Sequence, residues 1–135
     1  MKVDPNSFST IDIATSGLRA YDRQMKLIGS NMANIQTTDA GNGEPYRRLI
    51  AEFETNTDDG GGVDIKDIVQ DQSPFQKVFN PGHPDADEDG YVSMPNVNWA
   101  SEMVNLNAAS RAYQANAAIL RRYQKMVESS LELLR

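Results

Sequence analysis

The last third of the sequence, residues 98–135, contains neither proline nor glycine. Its largely apolar side chains recur every three or four residues, which is the spacing of a helix with a continuous seam. This first row comprises Leu106, Ala109, Tyr113, Asn116, Leu120, Tyr123, Val127 and Leu134. A second apolar row lies beside it, at Ala108, Ala112, Ala115, Ile119, Met126 and Leu133. Such a helix would span about 50 Å, more than a compact domain of this size, so it is expected to pack on something outside its own chain.

The N-terminal segment carries a second regular seam of the same kind. Its row runs without a break through Ile11, Ala14, Leu18, Tyr21, Met25, Ile28, Met32 and Ile35. The pattern predicts a helix that begins near Ser7 or Ser9 and ends near Thr37 or Thr38, before the turn-forming residues 40–45. Gly17 and Gly29 each weaken a helix by about 1 kcal/mol relative to alanine. This helix should therefore be poorly formed without a partner. The alternative interpretation is that the two glycines permit close contact between helices.

Between the two helices the apolar period changes to that of β-strands. We expect strands at residues 46–54, 63–70, 75–79 and 91–94, which together form one small antiparallel β unit. Its thin core is predicted to contain Phe53, Val63, Ile65, Ile68, Phe75, Val78 and Phe79. Asn98 is a suitable N-cap for the last helix.

The predicted fold class is mainly α with a small β insert. The N- and C-terminal helices are expected to lie antiparallel and to form a coiled coil, because the insert brings the chain back to the end of the first helix. The corresponding division is an N-terminal helix in residues 1–38, a β-rich insert with acidic loops in residues 39–97, and a C-terminal helix in residues 98–135.

Charge is distributed unevenly over the 135 residues, which carry a formal net charge of −6. Residues 50–95 contain eleven acidic side chains against Lys66 and Lys77, whereas both ends of the chain are close to neutral. Nucleic acid is therefore not an expected partner, since phosphate contacts need a basic face.

The N-terminus shows no apolar signal region, and no apolar run approaches the roughly 18 residues of a membrane span. The chain contains no cysteine, which removes thiolate metal sites and disulfides. We expect no membrane insertion, and either a cytosolic location or export without a cleaved signal peptide.

One motif in the acidic middle could bind a metal. Residues 85–90 (DADEDG) match the first half of an EF-hand calcium loop, but position twelve is Asn96 instead of glutamate, and prolines replace the flanking helices. A calcium-binding module in residues 85–96 is therefore the alternative function, and an acidic solvated turn is the simpler interpretation. His83 is the single histidine, and no nucleophile elbow or phosphate loop is present. We expect neither enzymatic activity nor a cofactor.

Several segments resemble a known family. Residues 16–21 (SGLRAY), 30–34 (SNMAN) and Thr37-Thr38 resemble the N-terminal signature of the bacterial flagellar axial proteins, which build the rod and hook. Residues 102–116 (EMVNLNAASRAYQAN) resemble the second signature of that family. Residues 45–48 (PYRR), 71–75 (DQSPF), 80–85 (NPGHPD) and 90–97 (GYVSMPNV) narrow the resemblance to the proximal rod proteins.

This resemblance implies a structural subunit that polymerises in the rod of the flagellar basal body and crosses the periplasm. It implies copies of the same chain, other rod proteins and a basal-body adaptor as partners. It also implies export through the flagellar type III apparatus with an uncleaved signal, and it weakens the calcium interpretation.

The residues expected to mediate helix packing and assembly lie on the two seams. They are Leu18, Met25, Ile28, Met32 and Asn34 in the first helix, and Leu106, Tyr113, Asn116, Leu120, Tyr123 and Val127 in the second. Asn34, Asn105 and Asn116 are candidates for polar contacts that set the register, with helix-surface or capping roles as the alternative. The second row of the last helix is expected to face neighbouring subunits.

Overall fold

A computed structural model describes residues 5–56 and 61–133 of the chain. The elements follow in the order α1 (Pro5–Ala33), β1 (Leu49–Asn56), β2 (Gly62–Gln70), β3 (Gln76–Phe79), β4 (Tyr91–Met94) and α2 (Trp99–Glu132). The prediction of a mainly α fold with a small β insert is confirmed. Neither helix combines the length and the apolar character needed to cross a membrane, as judged over the described residues.

The two helices pack against each other in opposite directions. A side chain at Gly17 of α1 would meet Asn116 of α2, and Asn31 of α1 is hydrogen-bonded to Glu102 of α2. Moving fourteen positions forward along α1 therefore corresponds to moving fourteen positions backward along α2, a distance of about 21 Å. The helices are thus antiparallel, as expected, while the coiled-coil detail of their packing stays a prediction.

The first helix ends four or five residues before the predicted end at Thr37 or Thr38, which was wrong. Asn34 follows its last residue, and its side-chain amide donates to the carbonyl of Ser30 at 2.9 Å beside the regular backbone bond at 3.1 Å. Thr37 then closes a turn onto the carbonyl of Asn34 at 3.1 Å. The helix also starts at Pro5, before the predicted start near Ser7 or Ser9. Proline suits the first helical position, because its missing N–H has no partner there in any case.

The start of α2 is as predicted. Asn98 is extended, with φ −104° and ψ 116°, and its side-chain oxygen accepts from the N–H of Ser101 at 3.0 Å. This bond satisfies one of the N–H groups that every helix leaves free in its first turn.

The insert consists of two separate two-stranded ribbons instead of one β unit. In the first, β1 pairs antiparallel with β2 and a bulge lies between Glu52 and Phe53. In the second, β3 pairs antiparallel with β4. The prediction that the first strand begins at Tyr46 was wrong, because the N–H of Tyr46 donates to the carbonyl of Thr37 and that of Arg48 donates to the side chain of Asn96. Only the carbonyl of Arg48 extends the pairing with β2, by accepting from the N–H of Asp71 at 2.8 Å.

The predicted core of the insert was also largely wrong. Of its seven members only Ile65 is buried, whereas Phe53 is 41% exposed and Phe79 is 63% exposed. A lone ribbon can cover only one of its faces, and the first ribbon lays that face on α1, where the rings of Tyr21 and Phe53 lie 5.9 Å apart. The buried apolar residues of the described chain are Ala14, Ala20, Ile28, Ile65, Val92, Val97 and Ala109.

Candidate assembly surface and its polar hub

The predicted packing residues of α1 lie along one side of the helix. Ile28 is buried at 4% exposure, while Leu18, Met25 and Met32 are half-buried. Asn34 is half-buried and lies directly after the last residue of α1, so its role in register or capping stays a prediction.

The predicted packing residues of α2 differ in their exposure. Leu106, Asn116, Leu120 and Tyr123 are half-buried, as is the register candidate Asn105. Tyr113 and Val127 are exposed, at 36% and 37%. α1 therefore covers the seam of α2 only in part, and the exposed positions remain available for further contacts.

The closest approach of the helices occurs at Gly17. A Cβ atom at this position would lie 2.9 Å from Nδ2 of Asn116, closer than Cβ atoms are found in proteins. The same Nδ2 donates to the carbonyl of Ala112 at 3.0 Å, which keeps the amide close to its own helix. Gly17 therefore allows the two backbones to approach, and the side chain of Asn116 occupies the space that a side chain at position 17 would need.

The side of α2 that faces away from α1 is exposed. It carries Val104, Ala108, Arg111, Ala115, Ile119, Arg122 and Met126, and we call these residues the outer stripe. Val104, Ile119 and Met126 are 68%, 43% and 54% exposed. Positions separated by three, four or seven residues share one side of a helix, so these side chains form a continuous exposed row. Five of its seven members are apolar, and an exposed apolar patch of this kind typically marks an interaction surface.

A cluster of polar side chains joins both helices to the insert, and we call it the polar hub. Its members are Asn31, Tyr46, Arg48, Asp71, Asn96 and Glu102. Asn31 and Glu102 are enclosed, at 1% and 0% exposure. Buried polar groups need partners inside the protein, because an unsatisfied one costs about 1–3 kcal/mol.

Asn31 holds the beginning of β1 against α1. Its Nδ2 donates to the carbonyl of Leu49 at 2.9 Å, and its Oδ1 accepts from the N–H of Leu49 at 2.9 Å. The hydroxyl of Tyr46 donates to the same Oδ1 at 3.1 Å, and Nδ2 also reaches Oε2 of Glu102 at 3.2 Å. One amide side chain thus satisfies the backbone of a strand and a carboxylate of the other helix.

Glu102 forms the buried ion pair of the hub. Its Oε1 accepts from Nε of Arg48 at 2.6 Å, and the guanidinium continues to Oδ2 of Asp71 at 3.4 Å. Removing one partner of a buried pair costs about 3–5 kcal/mol, since the remaining charge is left without compensation. The pair therefore ties α2 to the start of the insert.

Asn96 connects the end of the insert to its beginning. Its Oδ1 accepts from the N–H of Arg48 at 2.8 Å, and its Nδ2 donates to the carbonyls of Asp71 and Ser73 at 2.9 and 3.2 Å. Arg47 bonds to the same carbonyl of Asp71 at 3.3 Å, with its guanidinium 4.2 Å from the ring centre of Phe75. Three separate stretches of the insert are thereby held together.

Asp71 is kept ionised by these contacts. The hydroxyl and the N–H of Ser73 are the main causes that lower the pKa of this carboxyl, and the Arg48 guanidinium adds to them. Hydrogen bonds to the charged form stabilise it.

The acidic loop does not have the arrangement of a calcium site. Oδ1 of Asp87 accepts from the N–H of Tyr91 at 2.7 Å and from that of Asp89 at 3.2 Å, which lowers the pKa of Asp87. Asp85 accepts from the hydroxyl of Thr38 at 2.7 Å. Asn96, the residue at position twelve, is occupied in the hub, and the described residues contain no group of three acidic or histidine side chains that could hold a metal. Nothing in these contacts supports the calcium alternative.

Sequence reasoning did not single out the hub, although its residues belong to the motifs that carry the resemblance. A signal was present at Glu102, which lies four positions before Leu106 and extends the apolar row with a charged residue. A charge on the buried side of a helix requires a partner. The identity of that partner, Arg48, is set by the path of the chain and is not encoded in any local spacing.

The sequence is similar to that of known flagellar proteins. Residues 88–133 match the family model described as the C-terminal part of flagellar basal body rod FlgEFG proteins. The flagellar basal-body rod protein FlgC of Escherichia coli O6:H1 is 41% identical over 125 residues, which cover 90% of this chain and 93% of the relative. FlgC of Borreliella burgdorferi is 35% identical and FlgC of Bacillus subtilis is 33% identical, each over 94% of this chain and 97% of the relative.

The matched relatives are flagellar basal-body rod proteins, and each of these matches covers 90% or more of this chain. The chain therefore belongs to the FlgC family of flagellar basal-body rod proteins.

Proposed function

We propose that this chain is a structural subunit of the proximal rod, polymerises through its terminal helices, and transmits torque across the periplasm. Membership of the family supports the role of a rod subunit in the basal body. The observation that carries the polymerisation is the outer stripe of α2. Its apolar side chains are exposed, and nothing within the described residues covers them.

The proposed partners are copies of this chain, other rod proteins and the basal-body adaptor. A subunit that assembles beyond the inner membrane must first be exported, and we assign this step to the flagellar type III apparatus with an uncleaved signal. Neither nucleic acid nor direct membrane insertion is part of the proposal. The division into residues 1–38, 39–97 and 98–135 also stays a prediction, as do the individual packing residues.

The two rows of α2 are expected to play different parts in assembly. Leu120 is half-buried on the seam towards α1, so Leu120→Asp should disturb the helix pair and with it the rod. Ile119 lies on the outer stripe at 43% exposure, so Ile119→Asp should leave the subunit folded and remove only the contact with its neighbours.

The test is complementation of the native host deleted for this gene. We expect Ile119→Asp to be produced at the wild-type level but to give non-motile cells without rods. Gln114→Asp is the matched control, since it places the same charge on an exposed position of α2 outside the stripe. Normal swimming with Ile119→Asp would contradict the role of the outer stripe, whereas normal swimming of the deletion strain itself would contradict the function.

A further inference from the structure

The side of the β1–β2 ribbon that faces away from α1 is acidic. Phe53 and Ile65 are paired across the ribbon on the side towards α1, where Phe53 contacts Tyr21 and Ile65 is buried. Successive strand residues point to opposite sides. Glu52 and Glu54 flank Phe53 in β1 and therefore lie on the outward face, with Asp67 and Asp64 paired opposite them. The bulge leaves Lys66 unpaired and thereby brings Asp67 to this face, and all four acidic residues are exposed.

This acidic face is unfavourable in an isolated subunit. Two directly opposed pairs of like charge weaken a ribbon, since their carboxylates repel. None of the four forms an ion pair within residues 5–56 and 61–133, although Asp64 and Asp67 accept from their following N–H groups at 2.7 Å. Lys66 is the single basic residue of the two strands. A cationic surface placed on this face would relieve the repulsion.

The same chain carries a cationic surface of the required kind. Arg111 and Arg122 interrupt the apolar residues of the outer stripe, and Lys125 flanks it one turn beyond Arg122. All three are exposed, and no acidic partner is within ion-pair distance in the part of the chain that the structure describes. The acidic face likewise includes an apolar pair, Ile50 with Val69, which is half-buried.

We propose that the outer stripe of α2 in one copy docks on the acidic face of the β1–β2 ribbon in a second copy. The two surfaces are complementary in charge, and each combines charged with apolar side chains. Because they are different surfaces of one chain, the contact is heterologous and can repeat from copy to copy, as an open helical assembly requires. The inference rests on the proposed function and names the partner surface that the outer stripe contacts.

Cross-linking tests this contact directly, since the chain has no cysteine of its own. Cells of the native host would produce Glu54→Cys and Arg122→Cys variants together, and a short bismaleimide would be added to isolated basal bodies. We expect a product of twice the 15.0 kDa subunit mass only when both variants are present. Glu88→Cys with Arg122→Cys is the control, because Glu88 is an exposed acid of the other ribbon's loop.

Charge reversal provides the second measurement. Glu54→Lys together with Asp64→Lys should reduce the yield of a cross-link between the other positions, Asp67→Cys and Lys125→Cys, about tenfold or more. Arg122→Glu in the neighbouring copy should restore much of it. Added salt should weaken the contact, since both surfaces are solvent-exposed in the subunit.

The outcomes separate the inference from the function. Recovery of the subunit in basal bodies with no cross-link above the control, for both cysteine pairs, overturns the docking contact and leaves the rod function intact. Cross-links formed by a single variant with itself also overturn it, since they indicate an isologous contact or another occupant of the stripe. Absence of the wild-type subunit from basal bodies overturns the function and the inference together.

Discussion

The two ends of α2 show how differently one helix can be held. At its beginning, Asn98 caps the first turn, Glu102 is enclosed in the polar hub, and Ala109 is buried against α1. Near its end, Met126, Leu131 and Leu133 are 54%, 62% and 88% exposed. The difference teaches that the chain provides its own partners for the first half of the helix and leaves the second half available to neighbours.

The hub also explains why the insert can have so small a core. Each ribbon alone would be only marginally stable, but the hub connects residues 46–49, 71–73 and 96 to both helices by hydrogen bonds. Directional polar contacts thus replace apolar burial, and they fix the beginning of β1 against α1.

The largest expected effect comes from breaking the strongly held end of α2. Glu102→Ala removes the enclosed partner of Arg48, which keeps only its longer contact with Asp71. This change should lower the free energy of unfolding by about 3 kcal/mol, the lower end of the range for breaking a buried pair, because Arg48 is partly exposed. Leu131→Ala at the other end should change it by less than about 0.5 kcal/mol, since the side chain is 62% exposed. Urea unfolding followed by circular dichroism measures both.

A matched variant keeps this prediction specific. Arg48→Ala with Glu102→Ala should cost clearly less than the sum of the two single changes, because the residues interact directly. Equal losses from Glu102→Ala and Leu131→Ala would show that the two ends of the helix do not differ as described.

An intermediate effect is expected where the helices approach most closely. Gly17→Ala gains helix propensity but places a Cβ atom 2.9 Å from Asn116, and we expect a net loss of about 1 kcal/mol because overpacking costs about 1–3 kcal/mol. Gly29→Ala is the control in the same helix, since nothing lies within 4 Å of its added Cβ. It should stabilise by up to about 1 kcal/mol.

Thermal unfolding should show a lower melting temperature for Gly17→Ala and a higher one for Gly29→Ala than for the wild type. Asn116→Ala should rescue Gly17→Ala, as it removes the atom that the new Cβ meets. A higher melting temperature for Gly17→Ala would contradict the close contact between Gly17 and the side chain of Asn116.

The smallest effect concerns pH. The pKa of Asp71 is lowered in the folded chain from its ordinary value of 3.8 by Ser73 and then Arg48. A lowered pKa means that the folded state binds this proton less readily than the unfolded state does. The stabilisation is therefore complete above about pH 4 and is lost as the pH falls further, through the lowered pKa. The size is limited, because Asp71 is partly exposed and screened by solvent.

Comparison of wild type with Asp71→Asn isolates this contribution. Asp39 and Asp87 also have lowered pKa values, owing first to the N–H groups of Gly41 and Tyr91 respectively, but both variants retain them. We expect the difference in urea midpoint between the two chains to be larger at pH 6 than at pH 2. Parallel curves over this range would contradict the role of Asp71.

The sequence was sufficient for features whose cause is local. The two helices follow from rows of apolar side chains and from the absence of proline and glycine in residues 98–135, and the start of α2 follows from Asn98. The β4 strand was predicted with its observed bounds, Tyr91–Met94. Each of these elements depends on residues within a few positions of one another, where spacing and capping chemistry decide the outcome.

The tertiary structure decided the features that depend on contacts between distant residues. The early end of α1 at Asn34, the division of the insert into two ribbons, and the exposure of Phe53 and Phe79 were not predictable from local patterns. The hub joins Asn31 to Glu102 across 71 positions, and hydrogen-bond partners at such separations are determined by the path of the chain. The physical reason is that periodicity tells which side of an element is apolar, whereas only the packed fold determines whether that side is covered by its own chain or remains exposed for another.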